Sequence, residues 1–212
     1  MADKYISEAV IRRLPRYYRK LEELQAAGVE RISSQELSRE MGLNASQIRR
    51  DFNCFGGFGQ QGYGYSVEKL RLELQHILNL DNTYQCVVVG AGNIGHALLA
   101  YNEFQKKGFY MKAIFDVNPE IIGIEMNGFT VRSMFEFDEF VKNNDINVGI
   151  ICTPEDTAQQ LCDKLAELKI SAVWNFAPVE LNGPAWMKIE NVNLSDSLYI
   201  LAYKTGEGET VE

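Results

Sequence analysis

One stretch constrains this chain more than any other: Val87-Val88-Val89-Gly90-Ala91-Gly92-Asn93-Ile94-Gly95-His96-Ala97-Leu98-Leu99. An apolar run of strand length meets a glycine turn, and the turn opens a segment of helical pattern. Gly90, Gly92 and Gly95 form G-x-G-x-x-G with a strand before and a helix after, the context that gives the motif meaning. Gly90 suits the tight turn, Gly92 lets the backbone approach a pyrophosphate, and Gly95 lets helix and strand pack closely. Uncapped N–H groups and the positive end of the helix dipole then hold phosphate charge. The candidate phosphate contacts are Gly90, Ala91, Gly92, Asn93, Ile94, Gly95 and His96.

A second mark follows in Lys112-Ala113-Ile114-Phe115-Asp116, an apolar strand ending in a carboxylate. Asp116 stands 21 residues past Gly95, close to the ~20 expected of an acid that accepts hydrogen bonds from ribose. Such a carboxylate repels a 2′-phosphate. Val117 and Asn118 follow it, and no cation stands there to attract one. The expected cofactor is NAD+/NADH, not its phosphorylated relative.

From residue 85 the pattern alternates strand and helix: strand 85–90, helix 93–107, strand 111–115, a loop around Gly123–Gly128, and a helix near 135–144. A strand at 148–154, a helix near 155–168 and a strand at 172–176 follow. This predicts a Rossmann domain, a doubly wound parallel α/β sheet, over residues 85–190. Its ligand crevice lies at the carboxyl ends of the strands. Cys152, Thr153, Pro154, Asn175 and Phe176 occupy those ends and are candidate nicotinamide contacts, with Tyr101 a further one. Residues 191–212 read as a strand-like Asn191–Leu194, then a helix near 195–204. Leu198 and Leu201 make that helix apolar, and such a helix wants burial, here against a second subunit.

The front of the chain reads differently. Residues 1–80 hold 12 Lys and Arg against 10 Asp and Glu, and the remainder 9 against 19. That split predicts two modules with different partners. Ser7 is placed to cap a short helix, and Pro15 to begin the next, which stops at Gly28. Ser33 and Glu36 form a capping box, and Asn44 with Gln47 the expected second one. Two short helices about Gly42 make a helix-turn-helix. On the second, Ala45, Ile48 and Phe52 share the inner face. Ser46, Gln47 and Arg50 point outward, where Arg suits guanine and Gln adenine, and Arg49 on the flank suits phosphate. Five glycines among the aromatics of 55–65 predict the hairpin wing of a winged helix. Ser66 caps a helix carrying Val67, Leu70, Leu74, Ile77 and Leu78. The DNA-binding domain spans residues 1–80.

Four cysteines without C-x-x-C spacing and only two histidines, His76 and His96, give no metal set. No apolar run has the ~20 residues of a membrane span, and no signal-peptide pattern opens the chain, so the expected location is cytoplasmic. No paired acid and base stands near the crevice, so no catalytic residue is assigned. The alternative reading is an NAD-dependent oxidoreductase, which sustained NADH turnover on a carbonyl substrate would favour.

In order and detail the parts resemble the redox-sensing transcriptional repressors called Rex. The resemblance rests on Ser33-Ser34-x-Glu36-Leu37, Arg49-Arg50-Asp51-Phe52, Phe55-Gly56 through Gly62-Tyr63-Gly64-Tyr65, Gly90–Gly95, Phe115-Asp116 and Asn175-Phe176-Ala177-Pro178. It implies a homodimer reading an inverted repeat in double-stranded DNA, sensing of the NADH/NAD+ ratio, release of DNA by NADH, and C-terminal helices exchanged between subunits. It places Leu194 of one subunit against the nicotinamide of the other. Two places, the wing tip and the entry to the last helix, depart from the family pattern. Gln60 and Gln61 stand at the wing tip where relatives carry Lys or Arg. Asn193 stands where relatives carry an Asp that pairs, in one ligand state, with the Arg matching Arg19.

Overall fold

In a computed structural model the described residues are 6–56 and 63–206. The expected wing-tip residues Gln60 and Gln61 lie outside them. The chain divides into two compact units, Met1–Asn82 and Thr83–Glu212.

The first unit runs α1 (Glu8–Ile11), α2 (Leu14–Ala26), β1 (Arg31–Ile32), α3 (Ser34–Met41), α4 (Ala45–Asn53), β2 (Tyr65–Ser66) and α5 (Val67–Ile77). Helix α3 starts on a full capping box: Glu36 N–H donates to Ser33 Oγ, and Ser33 N–H to Glu36 Oε2. It ends at Gly42, whose φ of +63° turns the chain sharply into α4. Strands β1 and β2 pair antiparallel, Arg31 with Ser66 and Ile32 with Tyr65. The core is aromatic at its centre. Phe52 is 1% exposed, with edge-on rings of Tyr17 and Tyr65 at 5.0 and 5.3 Å. Leu21, Leu37, Ile48, Leu70 and Leu74 complete it.

Two expected caps differ. Ser7 precedes α1 but makes no side-chain capping bond. Asn44 Oδ1 accepts from Ser46 N–H, so no capping box with Gln47 forms, and the Gln47 amide is spent elsewhere.

The second unit runs β3 (Tyr84–Val89), α6 (Asn93–Ala100), α7 (Glu103–Lys106), β4 (Phe109–Asp116), β5 (Glu125–Met126), β6 (Phe129–Ser133), α8 (Phe137–Asn143), β7 (Val148–Ile151), α9 (Glu155–Glu167), β8 (Ala172–Asn175), β9 (Lys188–Asn191) and α10 (Leu194–Gly206). The sheet order is β5-β6-β4-β3-β7-β8-β9, parallel throughout except for β5 on β6. Chain order reverses direction between β3 and β7, the switch point where a doubly wound sheet opens its ligand crevice. Apolar side chains fill both faces. Phe115, Phe137, Ile151 and Leu165 lie on one, and Val88, Leu99, Ile114 and Ile150 on the other.

Three sequence expectations are corrected here. The helix expected over 93–107 breaks at Tyr101, which takes φ −89° and ψ 88°. The break re-aims Phe104, whose ring stands edge-on to Trp174 at 5.5 Å. The expected loop around Gly123–Gly128 is a hairpin. Met126 pairs with Phe129 across Asn127-Gly128, both at positive φ, which is the primed turn an Asn-Gly pair favours. Its second strand, β6, joins the main sheet beside β4. The last strand is Lys188–Asn191, not 191–194. The chain leaves the sheet when Val192 N–H donates to Asn175 O, and Asn193 Oδ1 then accepts from Ser195 N–H in capping geometry.

Candidate functional site

The glycine loop sits at the switch point, and its three glycines differ in what they need. Gly90 takes φ +102°, and a Cβ there would lie 2.5 Å from the Cys152 carbonyl oxygen. A Cβ on Gly95 would strike the Gly90 carbonyl oxygen. Both glycines are demanded by the fold itself. Gly92 is different: its φ is −75°, which any residue adopts, and a Cβ there would meet nothing within 4 Å. Nothing in the packing of the described residues asks for glycine at 92, and open space lies in front of its backbone. The N-cap of α6 is Gly92, which has no side chain to cap the N–H donors of the first turn.

Asp116 ends β4 beside this loop. Its Oδ2 accepts from Ala91 N–H at 2.7 Å and its Oδ1 from Asn118 N–H at 2.8 Å. A carboxylate has about four acceptor positions, so each oxygen keeps capacity for a ribose hydroxyl. Val117 beside it is 78% exposed. His96 contributes its backbone carbonyl to Asn127 Nδ2 of the hairpin, while its ring is exposed.

The neighbouring carboxyl edge belongs to β7 and β8. Thr153 Oγ1 is a buried atom without a hydrogen-bond partner among the described residues. Such an orphan costs about 1–3 kcal/mol, and it stands one residue from Cys152, whose backbone packs on Gly90. Burial pushes the Cys152 thiol up to about 12, so it stays neutral and serves as an apolar wall. Pro154 is exposed at the start of α9. Phe176 is half-buried, edge-on to Trp174 at 4.6 Å. Tyr101 is 56% exposed, with its ring edge-on to Phe104.

Asn175 departs from expectation. Its side chain is fully buried and faces inward. Nδ2 donates to the Ala177 and Val179 carbonyls and to Asn191 Oδ1, and Oδ1 accepts from Ala177 N–H. It clasps the strand end and the following turn, and its full burial keeps it from a ligand. Leu194, Leu198 and Leu201 are 59%, 62% and 56% exposed, and no residue of α10 is buried within the chain.

The other candidate surface is α4. Ser46, Arg49 and Arg50 are exposed. Arg49 Nη1 donates to Ser34 Oγ at 2.9 Å, which holds it beside the start of α3. Gln47 is only half-exposed. Its Nε2 donates to Asp51 Oδ1 at 2.7 Å, and its Oε1 accepts from Arg50 Nη2 at 3.1 Å. Its amide is therefore not the free base reader the helical spacing predicted. Asp51, which sequence reasoning passed over, is 1% exposed. It also takes a two-pronged ion pair from Arg13 at 2.7 and 2.8 Å and the Tyr17 hydroxyl at 2.7 Å. Burial works against its charge, but the bonds from Arg13, Tyr17 and Gln47 prevail and hold the carboxyl below its ordinary range. The signal was available: a carboxylate next to Phe52 and one turn from Ile48, on a face that is otherwise apolar. Arg19 is exposed on α2.

No described helix is long and apolar enough to cross a membrane. Among the described residues no group of three or more His, Cys, Asp or Glu is placed to hold a metal ion.

Comparison with known proteins agrees with both halves. Residues 5–53 match the family model "Putative DNA-binding protein N-terminus" and residues 81–179 the model "CoA binding domain". The redox-sensing transcriptional repressor Rex of Clostridium tetani is 48% identical over 96% of this chain and 97% of its own length. That of Clostridium acetobutylicum is 52% identical over 94% of this chain and 93% of its own. Among solved structures, RSP in complex with β-NAD+ and operator DNA superposes with a TM-score of 0.88 at 49% identity, covering 98% of this chain and 99% of RSP. RSP in complex with β-NADH gives 0.88 at 48%, covering 96% of each chain, and RSP is itself a Rex-family repressor. Nearly the whole chain, both units and both candidate surfaces, falls within these matches: it belongs to the Rex family of redox-sensing transcriptional repressors.

Proposed function

We propose that this protein represses transcription by binding an inverted-repeat operator, and that the NADH/NAD+ ratio sets its hold on the DNA. One observation carries the reading. A relative alike over nearly the whole chain binds β-NAD+ together with operator DNA, and separately β-NADH, and this chain keeps the glycine-loop crevice such a nucleotide needs.

The residues divide the work as follows. The backbone of Gly90–Gly95 and the first turn of α6 hold the pyrophosphate. The Asp116 carboxylate accepts from the ribose hydroxyls. Thr153 offers its unpartnered hydroxyl to the nicotinamide end, and Pro154, Phe176 and Leu194 of a second copy wall the ring. NAD+ carries a positive charge on that ring and NADH does not. Burial of an unpaired charge is costly, so an apolar wall favours the reduced form. On the DNA side, Arg50 and Ser46 face the major groove and Arg49 contacts phosphate.

Helix α10, with its exposed Leu198 and Leu201, packs into a second copy to form a homodimer, as a two-fold operator requires. Asn193, the residue that caps α10, and Arg19 are the switch positions. A DNA-binding repressor of this kind works in the cytoplasm. For NADH to move the population from 99% DNA-competent to 1%, it must bind the incompetent state about 10⁴-fold more tightly.

Gel shifts on an inverted-repeat duplex from the operator bound by RSP test this. Binding is expected without nucleotide and with NAD+, and release with NADH. Equal retention under all three conditions refutes the regulatory reading.

A further inference from the structure

We infer that Asp51 and Gln47 form a positioning relay, which fixes the Arg50 guanidinium for base reading from a buried anchor on α2 without touching DNA themselves. The inference rests on the proposed role of α4 as the reading helix and adds the mechanism that aims it.

The geometry supports this at each step. Arg13, at the start of α2, donates through Nε to Asp51 Oδ2 and through Nη2 to Oδ1. Tyr17, one turn further along α2, donates its hydroxyl to Oδ2 at 2.7 Å. Tyr17 is 0% exposed and Asp51 1%. Each carboxylate oxygen thus takes two hydrogen bonds, so its acceptor capacity is filled. One of those bonds comes from Gln47 Nε2, and the Gln47 carbonyl then accepts from Arg50 Nη2. An arginine side chain carries several rotatable bonds, and ordering it at an interface costs conformational entropy. A bond that holds the guanidinium before DNA arrives removes part of that cost.

The amide orientation of Gln47 follows from its neighbours. Facing a carboxylate, it must present NH2 to Asp51, which leaves its oxygen for the arginine. The relay therefore has a direction. It runs from α2, through a buried charge, to one tip of the reading face. It also explains why a fully buried carboxylate stands in the α4 sequence, where an apolar residue would fill the core more cheaply.

The test compares wild type, Gln47→Met, Arg50→Ala and the double variant. Fluorescence anisotropy measures their binding to the RSP operator duplex and to the same duplex with its repeat scrambled. Gln47→Met removes both side-chain bonds at a half-exposed position and leaves the Arg13–Asp51–Tyr17 anchor in place. It is expected to weaken operator binding roughly 3–10-fold with little change on the scrambled duplex. In the Arg50→Ala background the same substitution is expected to have no further effect, because the two act as one unit. Asp51→Asn, checked by thermal melting, is expected to reproduce the loss of discrimination.

A Gln47→Met loss that persists in the Arg50→Ala background means Gln47 reads a base itself and overturns the relay. So does no loss at all in Gln47→Met while Arg50→Ala loses operator binding. Operator binding by Arg50→Ala equal to wild type removes the reading role of α4, and the relay with it. If Asp51→Asn does not fold, the Gln47→Met cycle decides alone.

Discussion

Gly90 and Gly92 belong to one motif, yet exchanging each for alanine should have opposite consequences. At Gly90 the backbone sits at φ +102° and the new Cβ would meet the Cys152 carbonyl oxygen at 2.5 Å and its carbon at 2.6 Å. Left-handed strain of roughly 1–2 kcal/mol and overpacking of about 1–3 kcal/mol add to a destabilisation of roughly 2–5 kcal/mol. At roughly 4 °C per kcal/mol for a unit of this size, the melting temperature should fall by about 8–20 °C. Gly92 sits at φ −75° with nothing within 4 Å of the added methyl. Alanine is poorer than glycine at a helix N-cap but lowers the entropy of the unfolded chain, and the two terms, each about 0.5–1 kcal/mol, oppose each other. Gly92→Ala should therefore melt within about 3 °C of wild type. Its methyl, however, occupies the space the pyrophosphate must enter, and NADH affinity should drop about 10–100-fold, or ~1.4–2.8 kcal/mol. Scanning calorimetry and NADH titration by isothermal calorimetry read the two effects separately. A Gly92→Ala protein that binds NADH as wild type does would refute the reasoning, as would a Gly90→Ala protein that melts like wild type.

Other expectations follow from the same geometry. Thr153→Val removes a buried hydroxyl without a partner; the nucleotide-free protein should gain about 1 kcal/mol while NADH affinity falls roughly 3–10-fold, both measurable by melting with and without NADH. Asp51→Ala leaves Arg13 facing a lost partner and should cost about 3–5 kcal/mol by denaturant unfolding. Because the folded Asp51 carboxyl is held below its ordinary value of 3.8, the stability it confers is complete above the unfolded value. It is lost as pH falls through the folded one, so the gap in unfolding free energy between wild type and Asp51→Ala should narrow as pH falls below 3.8; a gap that stays constant there contradicts the ion-pair account. Replacing Leu198 and Leu201 together with Asp should leave a folded monomer by analytical ultracentrifugation; an unchanged dimer would show that α10 is not the interface.

Much of this protein was determined locally and could be read from its residues. The glycine loop, the interval from Gly95 to Asp116, the Ser33–Glu36 capping box and the run of parallel strands each announce themselves by a local spacing or a single repeat period. The hairpin at Asn127-Gly128 was equally local, and its turn signal stood in the sequence unread.

What the tertiary structure decided is direction. In β8 the two-residue alternation puts Val173 and Asn175 on one face and Trp174 and Phe176 on the other. Only the packed sheet determines which set turns inward, and it is Asn175 that becomes a buried clasp. Tyr101 ends a helix that periodicity would continue, because the chain must turn there to seat Phe104 on Trp174, 70 residues away. Asp51 is tolerable in the core only because Arg13, 38 residues earlier, arrives beside it. Burial of a charge or an amide is settled by its partners, and partners so far apart in the chain meet only once it has folded.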